Sequence, residues 1–353
     1  MIIKKILLSA ASIISLFIII FFSSTSSKSD ENNIKYYSKD EGILSIMYHR
    51  FNENKYPSTN IKMDMFKEHI DIIINSNFSF QNPNNFEEQF NVPRSKKKIL
   101  ITIDDAFESF YNEAWPYIKK NEIPFILFVS TEPVGKKGYM NWKQIKEVES
   151  NDFAHIGHHS HTHEYLIDVS NEDFVLDIET ANKIFLKELG YVPSLFSYPF
   201  GEYSKFMKDY ISKNFNYAFG QHSGVIDLNK DKFELPRFPI NEKYGELKRF
   251  KSIINYFPLE YKRILPEEKQ LFENTNPPNF KVEFFKEQKN LSNINCYSNE
   301  GDIWDKSKTT FANNSLTIEF REPFKPRRGR INCSLNDNGK WRWFGVQFPI
   351  KEY

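Results

Sequence analysis

Short runs without a polar face recur along the first two thirds of the chain: residues 43–49 (Ile-Leu-Ser-Ile-Met-Tyr-His), 99–103 (Ile-Leu-Ile-Thr-Ile), 124–129 (Pro-Phe-Ile-Leu-Phe-Val), 153–157 and 195–198. Runs of this length with little alternation read as strands buried on both faces. Residues 217–220 and 234–240 extend the series. Between these runs, apolar positions fall at helical spacing. In 63–75 they are Met63, Phe66, Ile70, Ile73 and Ile74, with Lys62, Lys67, Glu68 and Asp71 off that face and His69 read as an ordinary surface histidine. Helices are predicted over 108–120, over 141–150 with Asn141 as cap, and over 203–214. The longest, 171–189, is apolar at Phe174, Ile178, Ala181, Ile184, Phe185 and Leu189, and Gly190 is placed to end it. Residues 78–94, rich in Asn and Pro, read as irregular. Strands alternating with helices predict an α/β fold with a mostly parallel sheet.

The pattern changes twice. Residues 259–280 lose periodicity and carry Pro266, Pro277 and Pro278, so they read as a linker or wrapping segment. Residues 281–353 then alternate over short stretches, with a turn at Asn338-Gly339, which predicts a small all-β domain. Cys296 and Cys333 both fall there, and a bridge between them would staple it. Trp341, Trp343 and Phe344 either stack on sugar rings, aided by Arg327, Arg328 and Arg330, or dock this domain on its neighbour. At the other end, Lys4 and Lys5 precede an apolar run over 6–22 and a Ser-rich stretch. Residues 1–27 therefore read as an export signal or an uncleaved membrane anchor, placing the rest outside the cytoplasm. The α/β domain is expected over 40–258.

Composition narrows the function. The 47 Lys+Arg nearly balance the 46 Asp+Glu, a net charge of +1, so no overall field recruits nucleic acid. Aromatic residues make up 16% of the chain, which suits carbohydrate sites and packed cores alike.

Chemistry concentrates just after the strands. Asp104 and Asp105 stand side by side where the 99–103 strand ends, and adjacent strand residues point opposite ways, so their jobs differ. A turn or helix cap is the plain alternative. His155, His158, His159, His161 and His163 crowd into nine residues. His159 and His163 are four apart and share a face on a helical turn. With Asp105 they form a two-His, one-carboxylate set suited to Zn²⁺ hydrolysis or non-haem iron chemistry. His161 reads as supporting or exposed; His155 and His158 are left open.

These residues resemble the polysaccharide deacetylase family, the NodB-like carbohydrate esterases. Thr102-Ile103-Asp104-Asp105 is similar to the first motif, His159-Ser160-His161-Thr162-His163 to the second, and Ser197-Tyr198-Pro199-Phe200 partly to the third. The resemblance covers about residues 43–240. It implies a distorted (β/α)₇ barrel, a divalent metal (Zn²⁺ first) held by Asp105, His159 and His163, Asp104 as general base, and the Phe200 N–H as an oxyanion donor. The implied substrate is an N-acetylated envelope or extracellular polysaccharide. Ser197 stands where the family carries Arg; Arg237 is a candidate replacement, with a structural ion pair as its alternative. Ser-Tyr-Pro-Phe-Gly resembles the poly-N-acetylglucosamine deacetylase branch, which implies His49 as general acid, with His222 as the other candidate. An amidase for non-glycan C–N bonds and a non-catalytic glycan-binding protein remain alternatives.

Overall fold

The computed structural model describes residues 40–286 and 288–351. The expected export or anchor segment lies outside them; among the described residues no helix is long and apolar enough to cross a membrane.

The apolar runs are strands: β1 (Ile43–Tyr48), β2 (Lys98–Asp104), β3 (Phe125–Val129), β4 (Ala154–His158), β5 (Leu195–Ser197), β6 (Tyr217–Phe219) and β7 (Phe238–Pro239). They pair in parallel in the order β7-β1-β2-β3-β4-β5-β6, so chain order and spatial order coincide around the sheet. Leu235 bridges Phe219 of β6, and three residues later Phe238 pairs with Ile46 of β1. One short segment thus spans from the last strand back to the first. The result is a distorted β/α barrel.

Helices cover the outside. α1 (Met63–Ile74) turns Phe66, Ile70 and Ile73 inward. Residues 108–120 are helical throughout, but Phe110–Ala114 is a wide π-turn that tightens into α2 (Trp115–Lys120). Pro116 has no N–H to return to the preceding turn, which accounts for the irregularity. α3 (Trp142–Glu149) starts with a reciprocal Asn141–Gln144 cap. α4 (Asn171–Leu189) is capped by Ser170 and ends at Gly190, whose φ of +84° suits glycine. α5 (Lys205–Asn214) follows. Residues 78–94 are more ordered than their composition implies. Ser79–Phe80 pairs with β2, and a short helix buries Phe86 and Phe90 against Tyr217, with ring centroids 5.0 and 5.1 Å away. Two aromatics four apart were enough to anchor it.

His69 is a correction. It is not on the surface: its ring is fully buried and stacks on Phe250 at 3.8 Å. Its Nδ1 meets the Tyr48 hydroxyl at 3.0 Å and its Nε2 the Gly245 carbonyl at 2.7 Å. Those two partners satisfy a neutral imidazole, which lets a histidine sit on an apolar helix face.

The C-terminal part is all β. β8 (Phe257–Pro258), β11 (Asn295–Ser298), β12 (Asp305–Lys306), β15 (Arg328–Asp337) and β16 (Lys340–Pro349) form one sheet, ordered β8-β16-β15-β11-β12. β9 (Arg263–Leu265), β10 (Lys281–Glu283), β13 (Lys308–Ala312) and β14 (Ser315–Glu319) form another, ordered β9-β10-β14-β13. Asn338 and Gly339, both at positive φ, make the two-residue turn of the β15–β16 hairpin. Cys296 and Cys333 face each other across β11 and β15 and are disulfide-bonded. Residues 259–280 wrap rather than merely link: Leu259, Tyr261, Ile264, Leu271 and Phe280 are buried in this core. Trp343 stacks on Tyr256 with centroids 5.0 Å apart and donates from Nε1 to Ser223 Oγ, while Phe344 is buried and Trp341 exposed. Trp343 and Phe344 are therefore packing residues.

Candidate active site

The carboxyl ends of β1, β2, β4 and β5 converge at one end of the barrel, where side chains of a parallel α/β fold collect. β2 delivers Asp104 as its last residue; the chain then turns sharply, with Asp105 at φ +75° and Ala106 at +51°. The loop after β4 delivers His159 and His163, with Ser160 at +70° and His163 at +57°. Phe200, in the single turn after β5, sits at +57°. A left-handed backbone at a non-glycine residue costs on the order of 1–3 kcal/mol. Its recurrence at residues 105, 106, 160, 163 and 200 marks a place where orientation outweighs local comfort.

Asp105, His159 and His163 come together: one potential ligand atom from each lies within 4.8 Å of the others. Asp105 Oδ1 is 3.4 Å from His159 Nε2 and 3.0 Å from His163 Nε2. His159 Nδ1 is 2.7 Å from the Ser197 carbonyl, which assigns the proton to Nδ1 and leaves Nε2 with a lone pair toward Asp105. Among the described residues, Asp105 Oδ1 and His159 Nε2 are buried without a hydrogen-bond partner. Burying such atoms unsatisfied is costly, so their convergence fits a divalent cation. Burial opposes the Asp105 charge, but His163 and His159 override it and hold the carboxyl well below its usual range.

Asp104 lies beside that trio, its Oδ2 3.8 Å from His159 Nε2, but takes its hydrogen bonds from elsewhere. Arg237, on the segment that joins β6 to β1, meets it with both prongs: Nη1–Oδ1 2.7 Å and Nη2–Oδ2 2.9 Å. The remaining Arg237 donors reach Thr102 Oγ1, Ser197 Oγ and the Gly220 carbonyl. All five N–H groups are used, which reconciles a fully buried guanidinium with its surroundings. Burial pushes the Asp104 carboxyl up, and Arg237, with His159 and His49, more than reverses this. Ser197, which stands where the resembled motif carries Arg, thus accepts a hydrogen bond from Arg237 Nη2 at 2.7 Å.

His49 follows β1. Burial lowers its pKa, while the charges of Asp105 and Asp104 act in the opposite direction, so it shares their field. His222 is held down to about 4, chiefly by burial, and the charges around it are Glu234, Lys269, Lys230 and Arg237, not the two aspartates. His155 pairs with Asn84, His158 packs among Phe185, Phe196 and Phe215, and His161 pairs with Thr131.

Sequence reasoning missed Asp177. From α4 it accepts hydrogen bonds from His161 N, Thr162 N and Thr162 Oγ1, bracing the loop between the two site histidines. An acid three residues after Phe174 and four before Ala181, on the apolar face of the helix, was the available signal.

Residues 91–219 match the family model described as polysaccharide deacetylase. Among curated proteins, the poly-beta-1,6-N-acetyl-D-glucosamine N-deacetylase of Staphylococcus aureus (strain NCTC 8325 / PS 47) is 24% identical over 161 residues, 42% of this chain and 56% of that protein. The chain therefore spans little more than half the length of that relative. Among solved structures, IcaB from Ammonifex degensii superposes with a TM-score of 0.55 at 22% identity, over 61% of this chain and 97% of that one. The Streptococcus pyogenes deacetylase PplD, solved in complex with acetate, gives 0.55 at 20% identity, over 60% and 98%. At these identities the structures speak for the fold.

Proposed function

We propose, from the polysaccharide deacetylase domain that this chain contains, that the protein is an exported, metal-dependent hydrolase removing N-acetyl groups from an amino-sugar polymer of the poly-N-acetylglucosamine kind. The observation that carries this reading is the pairing of two differently used carboxylates: Asp105 turned to His159 and His163, Asp104 turned to Arg237. Asp105, His159 and His163 would hold the cation; two imidazoles and one carboxylate suit Zn²⁺ and leave positions open. When bound, such an ion supplies Lewis acidity, lowering the pKa of water from 15.7 toward ~7 and drawing off developing negative charge.

The chain's own groups do the rest. Asp104, fixed by the guanidinium fork, takes a proton from the attacking water as its oxygen bonds to the acetamide carbon. The Phe200 N–H donates to the carbonyl oxygen as charge builds there; such a donor is typically worth ~2.7–4 kcal/mol. His49 gives a proton to the departing nitrogen as the C–N bond breaks, leaving acetate and a glucosamine unit. An amine anion is a very poor leaving group, so this proton transfer is required.

Acetate release by the purified, metal-loaded chain is the test, measured across acetylated glycans and small amides. Release from β-1,6-linked N-acetylglucosamine oligomers supports the reading. Turnover of small amides alone, or stoichiometric metal with no acetate from any acetylated glycan, overturns it.

A further inference from the structure

The single turn after β5 is gripped from outside the barrel. Gln347, buried on β16 of the C-terminal sheet, donates from Nε2 to the Phe200 carbonyl at 3.1 Å and to the Gly201 carbonyl at 3.2 Å. The next residue, Glu202, has a buried carboxylate that takes Arg328 Nε on Oε1 at 2.6 Å and Arg327 Nη2 on Oε2 at 3.2 Å. Arg327 also reaches Asp168 at 2.7 Å, and its guanidinium lies 3.8 Å over the Tyr165 ring. Tyr165 stacks on Phe200 at 4.0 Å, and the Phe200 ring meets that of His163 at 4.8 Å. On the inner side there is no slack, because a Cβ at Gly201 would come within 2.4 Å of the Gln221 nitrogen.

Gln347 and Arg328 of the C-terminal sheet, with Arg327 just before β15, therefore hold residues 200–202, the end of the turn that carries Phe200 and the residue after it. Docking alone does not need this. The Tyr256–Trp343 stack already joins the two parts, whereas Gln347 spends its amide on the carbonyls flanking a left-handed residue. The Gly201 carbonyl shares its peptide plane with the Glu202 N–H, which donates to the Pro199 carbonyl at 3.1 Å; that carbonyl shares its plane with the Phe200 N–H, so the grip on the turn sets the direction of the Phe200 N–H. We propose that the C-terminal β-sheet is a positioning element of the reaction, with Gln347 as its principal positioning residue, aided by the Arg327–Arg328 grip on Glu202. This rests on reading the Phe200 N–H as the oxyanion donor.

The test uses the full-length, metal-loaded chain with β-1,6-linked N-acetylglucosamine oligomers. Gln347→Leu keeps the volume and removes the donor. The expected result is a kcat loss of roughly tenfold or more, KM within about twofold, unchanged metal stoichiometry and faster amide hydrogen exchange at residues 200–202. An unchanged kcat with a lowered melting temperature would make Gln347 a docking residue and overturn the proposal, as would unaccelerated exchange in the turn. Should Gln347→Leu fail to fold, Arg328→Met and Arg328→Lys carry the test: Met is expected to lower kcat and Lys to recover part of it, and equal kcat values for both at the wild-type level would overturn it. Wild-type protein that releases no acetate sinks the functional reading instead, while the exchange measurement still judges the grip.

Discussion

Arg237 and Asp104 are a completely buried, two-pronged ion pair, with no exposed surface on either side chain and every guanidinium N–H engaged. Lysine at 237 keeps the charge but not the fork, so the carboxylate loses its fixed plane. For Arg237→Lys we expect kcat to fall roughly 10²-fold with metal content intact, since general bases contribute on that scale. Arg237→Met leaves the carboxylate buried and alone, which should cost about 3–5 kcal/mol in denaturant unfolding. An Arg237→Met variant as stable and active as wild type would mean that the pair positions nothing.

The neighbouring acid should behave oppositely toward metal. Asp105→Ala is expected to lose both bound metal and activity, while Asp104→Asn keeps the metal and loses turnover. Asp177→Ala, which removes the brace under residues 161 and 162, should weaken metal affinity by roughly 10–100-fold. Metal stoichiometry after dialysis and competition with a chelator read all three. Full turnover in Asp104→Asn would end its assignment as the base.

How much of this could be read from the chain alone follows from the range of the forces involved. The strands that lead into the site announce themselves, because burial on both faces leaves an unbroken apolar run such as Ile99 to Ile103. Asn141, Ser170 and Gly190 mark helix ends through local backbone chemistry. Asp105, His159 and His163 stand out by residue type and spacing. Arg237 does not stand out in that way and is a candidate only through the family resemblance: it lies 133 positions from Asp104, and only the closure of the sheet by residues 235–239 brings them into contact. Asp177 and His69 looked like ordinary helix residues because their partners, two backbone amides and the Tyr48 hydroxyl, come from other elements. Gln347 gave no signal at all; a lone glutamine in an alternating strand is unremarkable until the turn it holds is seen.

Trp343 separates packing from sugar binding. Its ring lies parallel to Tyr256, at an interplanar angle of 1°, and its indole N–H is already committed to Ser223. Trp343→Ala should therefore lower stability, by about 3–5 kcal/mol if the site behaves as a core position, with binding of acetylated oligomers by the folded fraction unchanged. Trp341, exposed and unneeded for packing, should tolerate Ala with little loss of stability. Weakened oligomer binding by a stable Trp343→Ala protein would restore the stacking interpretation.

The buried histidine on α1 should make the protein acid-sensitive without involving the active site. Burial pushes the His69 pKa from 6.5 down to about 4, and its bond to the Gly245 carbonyl offsets only part of that. The folded form therefore refuses a proton that the unfolded chain accepts. The stabilisation is complete above pH 6.5 and is lost as the pH falls from there through about 4. At pH 5 the loss from this residue should be about 2 kcal/mol relative to neutral pH. His158 and His222, also lowered by burial, act with the same sign and steepen the acid limb. Denaturant unfolding of wild type and His69→Gln at pH 7 and pH 5 isolates the His69 share. Gln does not titrate in this range, so the variant, whatever its stability at pH 7, should lose about 2 kcal/mol less on acidification. Equal losses in both proteins would show that the ring is already protonated in the fold, with the Tyr48 hydroxyl accepting rather than donating.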